Sequence, residues 1–145
     1  MSHYQHILCA VDLSTENVAV FSRAVELADY YHAQLSLLHV VEYVPVDLAN
    51  DLVLPQQQEI EQQLVDQAEK TLAKLAEQST QIQVRSVVVQ GSIKSGVVEY
   101  AKNNGVDLIV IGRHGRHGLS RLLGSVANAI LHHALCDVLT VRIAD

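Results

Sequence analysis

Apolar and polar positions along the chain alternate between two periods. Residues 6–11, 34–41, 82–89, 107–111 and 137–143 are short, nearly continuous apolar runs. Such runs mark strands buried on both faces of a parallel sheet. Between them, apolar residues recur every three or four positions, the signature of a helix with one buried face. Val18, Phe21, Val25 and Ala28 define the first face, and Ile60, Leu64, Ala68, Leu72 and Leu75 a longer second one. Val97, Val98 and Ala101 predict a short third helix. Val126, Ala129, Ile130 and Ala134 predict a fourth, over 122–134. The punctuation agrees. Ser14 offers a helix N-cap with Glu16 in the first turn. Pro55 suits the start of the second helix, and Asn104-Gly105 stops the third. Residues 42–54 have no clean period and contain Pro45. They read as a surface loop, apolar enough to cover a pocket or meet a partner. Five strands alternating with four helices predict a single α/β domain over residues 1–145, with a parallel sheet and right-handed crossovers.

Composition narrows the function classes. The chain has 145 residues, 49% hydrophobic and 18% charged, enough apolar content for a core and too much for disorder. Ten Lys and Arg against sixteen Asp and Glu leave a net charge of −6, which excludes a general nucleic-acid surface. No apolar run reaches the roughly 20 residues of a bilayer span, and the start carries no secretory signal pattern, so no membrane insertion is expected. Cys9 and Cys136 are too few to staple this fold, which points to a reducing cytoplasm.

Open α/β sheets bind ligands beyond the carboxyl ends of their strands, where strand order reverses. In a sheet ordered 3-2-1-4-5 that point lies between the first and fourth strands. The first strand's tail reads Ala10-Val11-Asp12-Leu13-Ser14. The fourth strand ends at Ile111 and opens into a glycine-rich loop, Gly112-Arg113-His114-Gly115-Arg116-His117-Gly118, with a helix N-terminus expected near Gly124-Ser125. Glycines let backbone N–H groups approach an anion, and a helix N-terminus adds orphan donors. Arg113, Arg116 and Arg121 offer charge-assisted bonds, and on an acidic chain this stretch reads as an anion site. The plainer reading of the same residues is a solvated turn. Asp12 is either a ligand acceptor or a cap of the following helix, and Ser125 either a phosphate donor or an N-cap.

Other chemistry is not indicated. His114 and His117 lack a companion ligand set, so no metal site is assigned. His39 reads as a core or pocket-edge histidine, Cys9 as core, and His132 and His133 as companions of a helix C-terminus. Residues 91–96 do not match Gly-x4-Gly-Lys-Ser/Thr. No base is paired with a positioned water, so an enzyme is not expected, a weak ATPase or phosphotransferase being the distant alternative.

The tail Gly112-Arg113-His114-Gly115 with Gly124-Ser125-Val126-Ala127-Asn128, the start Ile7 to Ser14, the segment Leu37-Leu38-His39-Val40 and the end Cys136 to Arg142 together resemble the universal stress protein family across essentially the whole chain. The resemblance implies a Rossmann-like, adenine nucleotide alpha hydrolase-like three-layer sandwich, cytoplasmic residence and a homodimer. ATP-binding members carry Gly-x2-Gly-x9-Gly-Ser/Thr. Here Gly112-x2-Gly115 and Gly124-Ser125 are present, with eight residues between them, 116–123. Carried over by position, the resemblance sets adenine against Ala10, Val11 and Val40, with Asp12 near the adenosine. Ile111 and Gly112 would border the sugar, and Gly115, Gly124, Ser125 and Val126 would hold the phosphates. Arg113, His114 and Arg116 join this site by charge and location. The implied ligand is ATP or AMP, with Mg or Mn beside the phosphates. The last strand, Val138 to Ile143, would lie at a sheet edge and pair two copies. The function expected is a stress-response module that binds adenine nucleotide with little turnover and acts through protein partners. The alternative is a nucleotide-free dimeric interaction module.

Overall fold

The computed structural model describes residues 3–42, 55–114 and 120–143, with side chains for all of these but 55–57, 114 and 120–123. In chain order the elements are β1 (His6–Ala10), α1 (Asn17–Tyr31), β2 (Gln34–Val41), α2 (Pro55–Glu77), β3 (Val84–Gln90), α3 (Ile93–Asn103), β4 (Leu108–His114), α4 (Ser120–His133) and β5 (Asp137–Ile143). One sheet of order β3-β2-β1-β4-β5 results, with every neighbouring pair parallel. This is the predicted Rossmann-like α/β architecture. The loop expected over 42–54 lies, from residue 43 on, outside the described residues.

Strand alternation divides the interior into two cores. Ile7, Cys9, Leu35, Leu37, Leu108 and Val110 point to one face of the sheet and pack with α1 and α2. Leu8, Leu38, Val40, Ile109 and Ile111 point to the other and pack with α3 and α4. Because both faces are covered, the strands are apolar at consecutive positions, which is why their runs are legible without a period of two.

Several boundaries and buried faces differ from expectation; among the strands, β3 runs over Val84–Gln90 rather than 82–89. Glu16 takes the N-cap position of α1, with no side-chain capping bond to the helix, rather than lying in the first turn. Ser14 does not cap a backbone N–H; its Oγ accepts from the Asn17 side chain at 2.9 Å. That bond draws Asn17 into the interior (4% exposed), and the buried face becomes Val20, Phe21, Ala24, Val25 and Ala28. Val18, about 100° further round the helix, is left 41% exposed. In α2, Ala68, Leu72 and Leu75 are buried, but Ile60 and Leu64 are not. A helix of 23 residues is about 34 Å long, whereas the eight residues of β2 span about 26 Å, so α2 overhangs the sheet. At the far end of the fold, β4 continues through Gly112, Arg113 and His114, each paired with β5, where a loop was expected. Helix α4 then starts at Ser120, so Gly124-Ser125 lies inside it rather than at its N-terminus.

Candidate functional site

The central strand is the shortest of its trio. β1 has five residues, β2 eight and β4 seven. Ala10, the last residue of β1, is in register with Leu38, and Cys9 is in register with Val110. β2 and β4 therefore run on past the end of β1 and leave a gap at the carboxyl edge of the sheet, at the point where strand order reverses.

Local bonds hold that gap open. Val11 makes one last ladder bond, its N–H donating to the Leu38 carbonyl at 2.9 Å. Leu13 then adopts φ 68°, a left-handed conformation costing a side-chain-bearing residue about 1–2 kcal/mol. Asp12 offsets that cost. Its Oδ1 accepts from the Ser14 N–H at 2.9 Å and from the Asn17 side-chain amide. The exit of β1 is thereby bent away from β2 and tied to the start of α1.

The next rung of the ladder would pair Asp12 with Val40, and it is missing. The Gly91 N–H donates to the Val41 carbonyl from the β3 side, so the alternate residues Leu38 and Val40 face β1. Among the described residues, neither the N–H nor the C=O of Val40 is hydrogen-bonded across that gap. One donor and one acceptor thus project side by side into the cleft, and a buried orphan pair of this kind calls for a partner.

The cleft encloses about 480 Å³, within the range of small-molecule sites. One wall is apolar, formed by Ala10, Val40, Ile93, Val97, Ile111, Val126, Ala127 and Ile130. The other carries Asp12, Asn17, His39, Glu42, Gln67 and Thr71, together with Leu64 and Ala68 of α2. No Lys or Arg lines it among the described residues. His39 is half-buried, and its Nδ1 lies 2.8 Å from the Val11 carbonyl oxygen.

The structure gathers Ala10, Val11, Asp12, Val40, Ile111, Gly112 and Val126 around this cleft. Of the remaining sequence candidates, Arg113, Gly124 and Ser125 do not line it. Arg113 is exposed on β4 in register with Arg142. His114 ends β4, and Gly115 and Arg116 lie outside the described residues. Gly124 and Ser125 sit within α4 and do not line the cleft. As the fifth and sixth residues of the helix, they have N–H groups placed for i→i−4 bonds rather than for an anion. Ser125 is therefore not the N-cap. Gly112 also has a packing reason to be glycine. A Cβ there would lie 2.8 Å from Val20 Cγ2 and 2.8 Å from Ile143 Cδ1. Sequence reasoning missed the contributions of α2 and α3, since Gln67, Thr71, Ile93 and Val97 belong to ordinary helical patterns that carry no ligand signal.

Burial raises the Cys9 thiol far above its usual range. Burial, then Asp137 and Asp107, raise that of Cys136. Neither is an activated thiolate. Among the described residues, no three His, Cys, Asp or Glu converge on a metal position, and no helix is long and apolar enough to cross a membrane.

The universal stress protein family model matches residues 3–142. Universal stress protein A homolog 1 of Coxiella burnetii is 43% identical over 139 residues, 96% of this chain and 96% of that protein. The solved structure of universal stress protein UspA from Lactobacillus plantarum superposes with a TM-score of 0.76 at 28% identity, covering 98% of this chain and 100% of that one. A crystal structure of a universal stress protein in complex with cAMP matches with a TM-score of 0.66 at 23% identity, covering 99% of this chain and 100% of that one.

Proposed function

The chain belongs to the universal stress protein family, and from that membership and the open rung at Val40 we propose that it binds an adenine nucleotide. The observation that carries this reading is the pairing of the Val40 donor and acceptor at the mouth of an apolar slot. Adenine presents an amine donor beside ring-nitrogen acceptors on an apolar ring, the complement of that pair and of the wall formed by Ala10, Ile111 and Val126. Asp12 Oδ2 accepts no protein hydrogen bond among the described residues, which suits it to a ribose hydroxyl. The structural likeness to a cAMP complex supports the ligand class. Phosphates would extend from the cleft past Gly112 of β4. A divalent ion fits only as a companion of those phosphates, held by them, by water and by Asp12. Turnover is read as slight or absent.

The protein acts in this reading as a cytoplasmic homodimer paired through β5, one of the two edge strands of the sheet, with further protein partners on the assembled pair. Calorimetric titration with ATP, AMP and cAMP, together with mass spectrometry of nucleotide carried through purification, tests the ligand. Saturable binding is expected. Val126→Phe, which fills the slot, should weaken it at least about tenfold, a loss of about 1.4 kcal/mol, and Gly115→Val should remove the preference for ATP over adenosine. A folded parent that binds none of these overturns the reading. The nucleotide-free interaction module, favoured by the eight-residue spacer 116–123, would then take its place.

A further inference from the structure

We propose that His39 is a positioning residue that keeps the Val40 N–H free for ligand by occupying the Val11 carbonyl in its place. The inference rests on the adenine-nucleotide reading for its consequence, though not for its geometry. In a regular parallel ladder, the Val11 carbonyl would accept from the Val40 N–H, as the rung after the Val11 N–H to Leu38 carbonyl bond. It accepts instead from the His39 ring, Nδ1 to oxygen 2.8 Å.

A carbonyl oxygen can only accept, so Nδ1 carries the hydrogen. The substitution satisfies the Val11 carbonyl at the point where β1 ends. It leaves the Val40 N–H and C=O without a strand partner. The bend at Leu13, φ 68°, and the Asp12 bonds to Ser14 and Asn17 then hold the chain off Val40.

Without the imidazole, the Val11 carbonyl would be an unsatisfied acceptor beside an unsatisfied donor. Those two groups would close on one another, because an orphan pair in a half-buried site costs more than a bond. The ladder would lengthen by one rung, and the base would lose its donor. His39 thus acts on the ligand through Val40 rather than by touching it.

The test follows the Val40 amide itself by residue-resolved hydrogen exchange on the full chain. In the ligand-free parent, Val40 should exchange about as fast as an unbonded amide and far faster than Leu38. In His39→Leu, with no ligand added, Val40 should become protected by about tenfold or more, and AMP affinity should fall by a similar factor. In His39→Asn, whose Nδ2 donor lies the same number of bonds from the backbone, Val40 exchange and AMP affinity should stay within about threefold of the parent. A merely structural histidine would lower the melting temperature in both variants and leave Val40 unprotected. The inference is overturned if Val40 exchange is unchanged in folded His39→Leu, or if His39→Asn behaves like His39→Leu. A parent that binds no AMP refutes the ligand reading alone, since the exchange comparison still decides the role of His39.

Discussion

Gly112→Ala separates two meanings of one glycine. The sequence presents Gly112 as the head of a phosphate loop, whereas the structure places it within β4, facing α1 and the end of β5. The added methyl would lie 2.8 Å from Val20 Cγ2 and 2.8 Å from Ile143 Cδ1, against about 3.5–4.0 Å for an unstrained carbon contact. Val20 is fully buried and Ile143 5% exposed, so neither can swing into solvent. Overpacking of this kind costs about 1–3 kcal/mol. Replacing glycine in a strand returns about 0.5–1 kcal/mol, for a net loss of up to about 2.5 kcal/mol, centred slightly above 1. At this chain length the central value corresponds to a fall in Tm of roughly 3–5 °C. Calorimetry or circular dichroism on Gly112→Ala, Ile143→Val and the double variant checks it. Ile143→Val deletes the Cδ1 atom and costs about 0.5–1.5 kcal/mol alone. In the Gly112→Ala background it should cost at least about 0.5 kcal/mol less, because it relieves one of the two overlaps. A Gly112→Ala protein that melts with the parent, or a double variant that is the plain sum of the two, would refute the packing argument and return Gly112 to the phosphate loop.

Gly124→Ala should act in the opposite direction. Nothing lies within 4 Å of a Cβ built there, so the substitution should stabilise α4 by about 0.8–1 kcal/mol in urea unfolding; a destabilised variant would contradict the open space around it. Tyr4 donates to Asp137 Oδ2 at 2.6 Å, and that bond, followed by burial, raises its pKa from 10 to about 12. The folded state thus favours the neutral phenol. Its contribution to stability is complete below pH 10 and is lost as pH rises through about 12, so Tyr4→Phe should lose less stability than the parent across that interval, followed by thermal melts at stepped pH. For the β5 edge, light scattering should report twice the 15.9 kDa chain mass; a monomer at every concentration would refute pairing through that strand.

The strands and helices were legible because a sheet covered on both faces leaves unbroken apolar runs, and a helix on one face leaves spacings of three and four. The sheet's reversal point, and the tails of β1 and β4 as its border, followed from the same alternation. Ala10, Val11, Asp12, Val40, Ile111 and Val126 were recognisable from the resemblance and all reach the cleft. Gly124-Ser125 misled as a helix start, since glycine and serine are as much at home before a helix as inside one.

Local order is written in the chain because period and capping chemistry act over a few residues. The cleft itself is a difference in length between three strands distant in sequence, and no local pattern encodes where a ladder stops. That β1 ends before its neighbours, and that a histidine from β2 takes the carbonyl a strand amide would have taken, depend on contacts across more than twenty residues, whereas the left-handed turn at Leu13 is fastened locally by the Asp12 bonds to Ser14 and Asn17. Packing alone decides which backbone groups are left for a ligand.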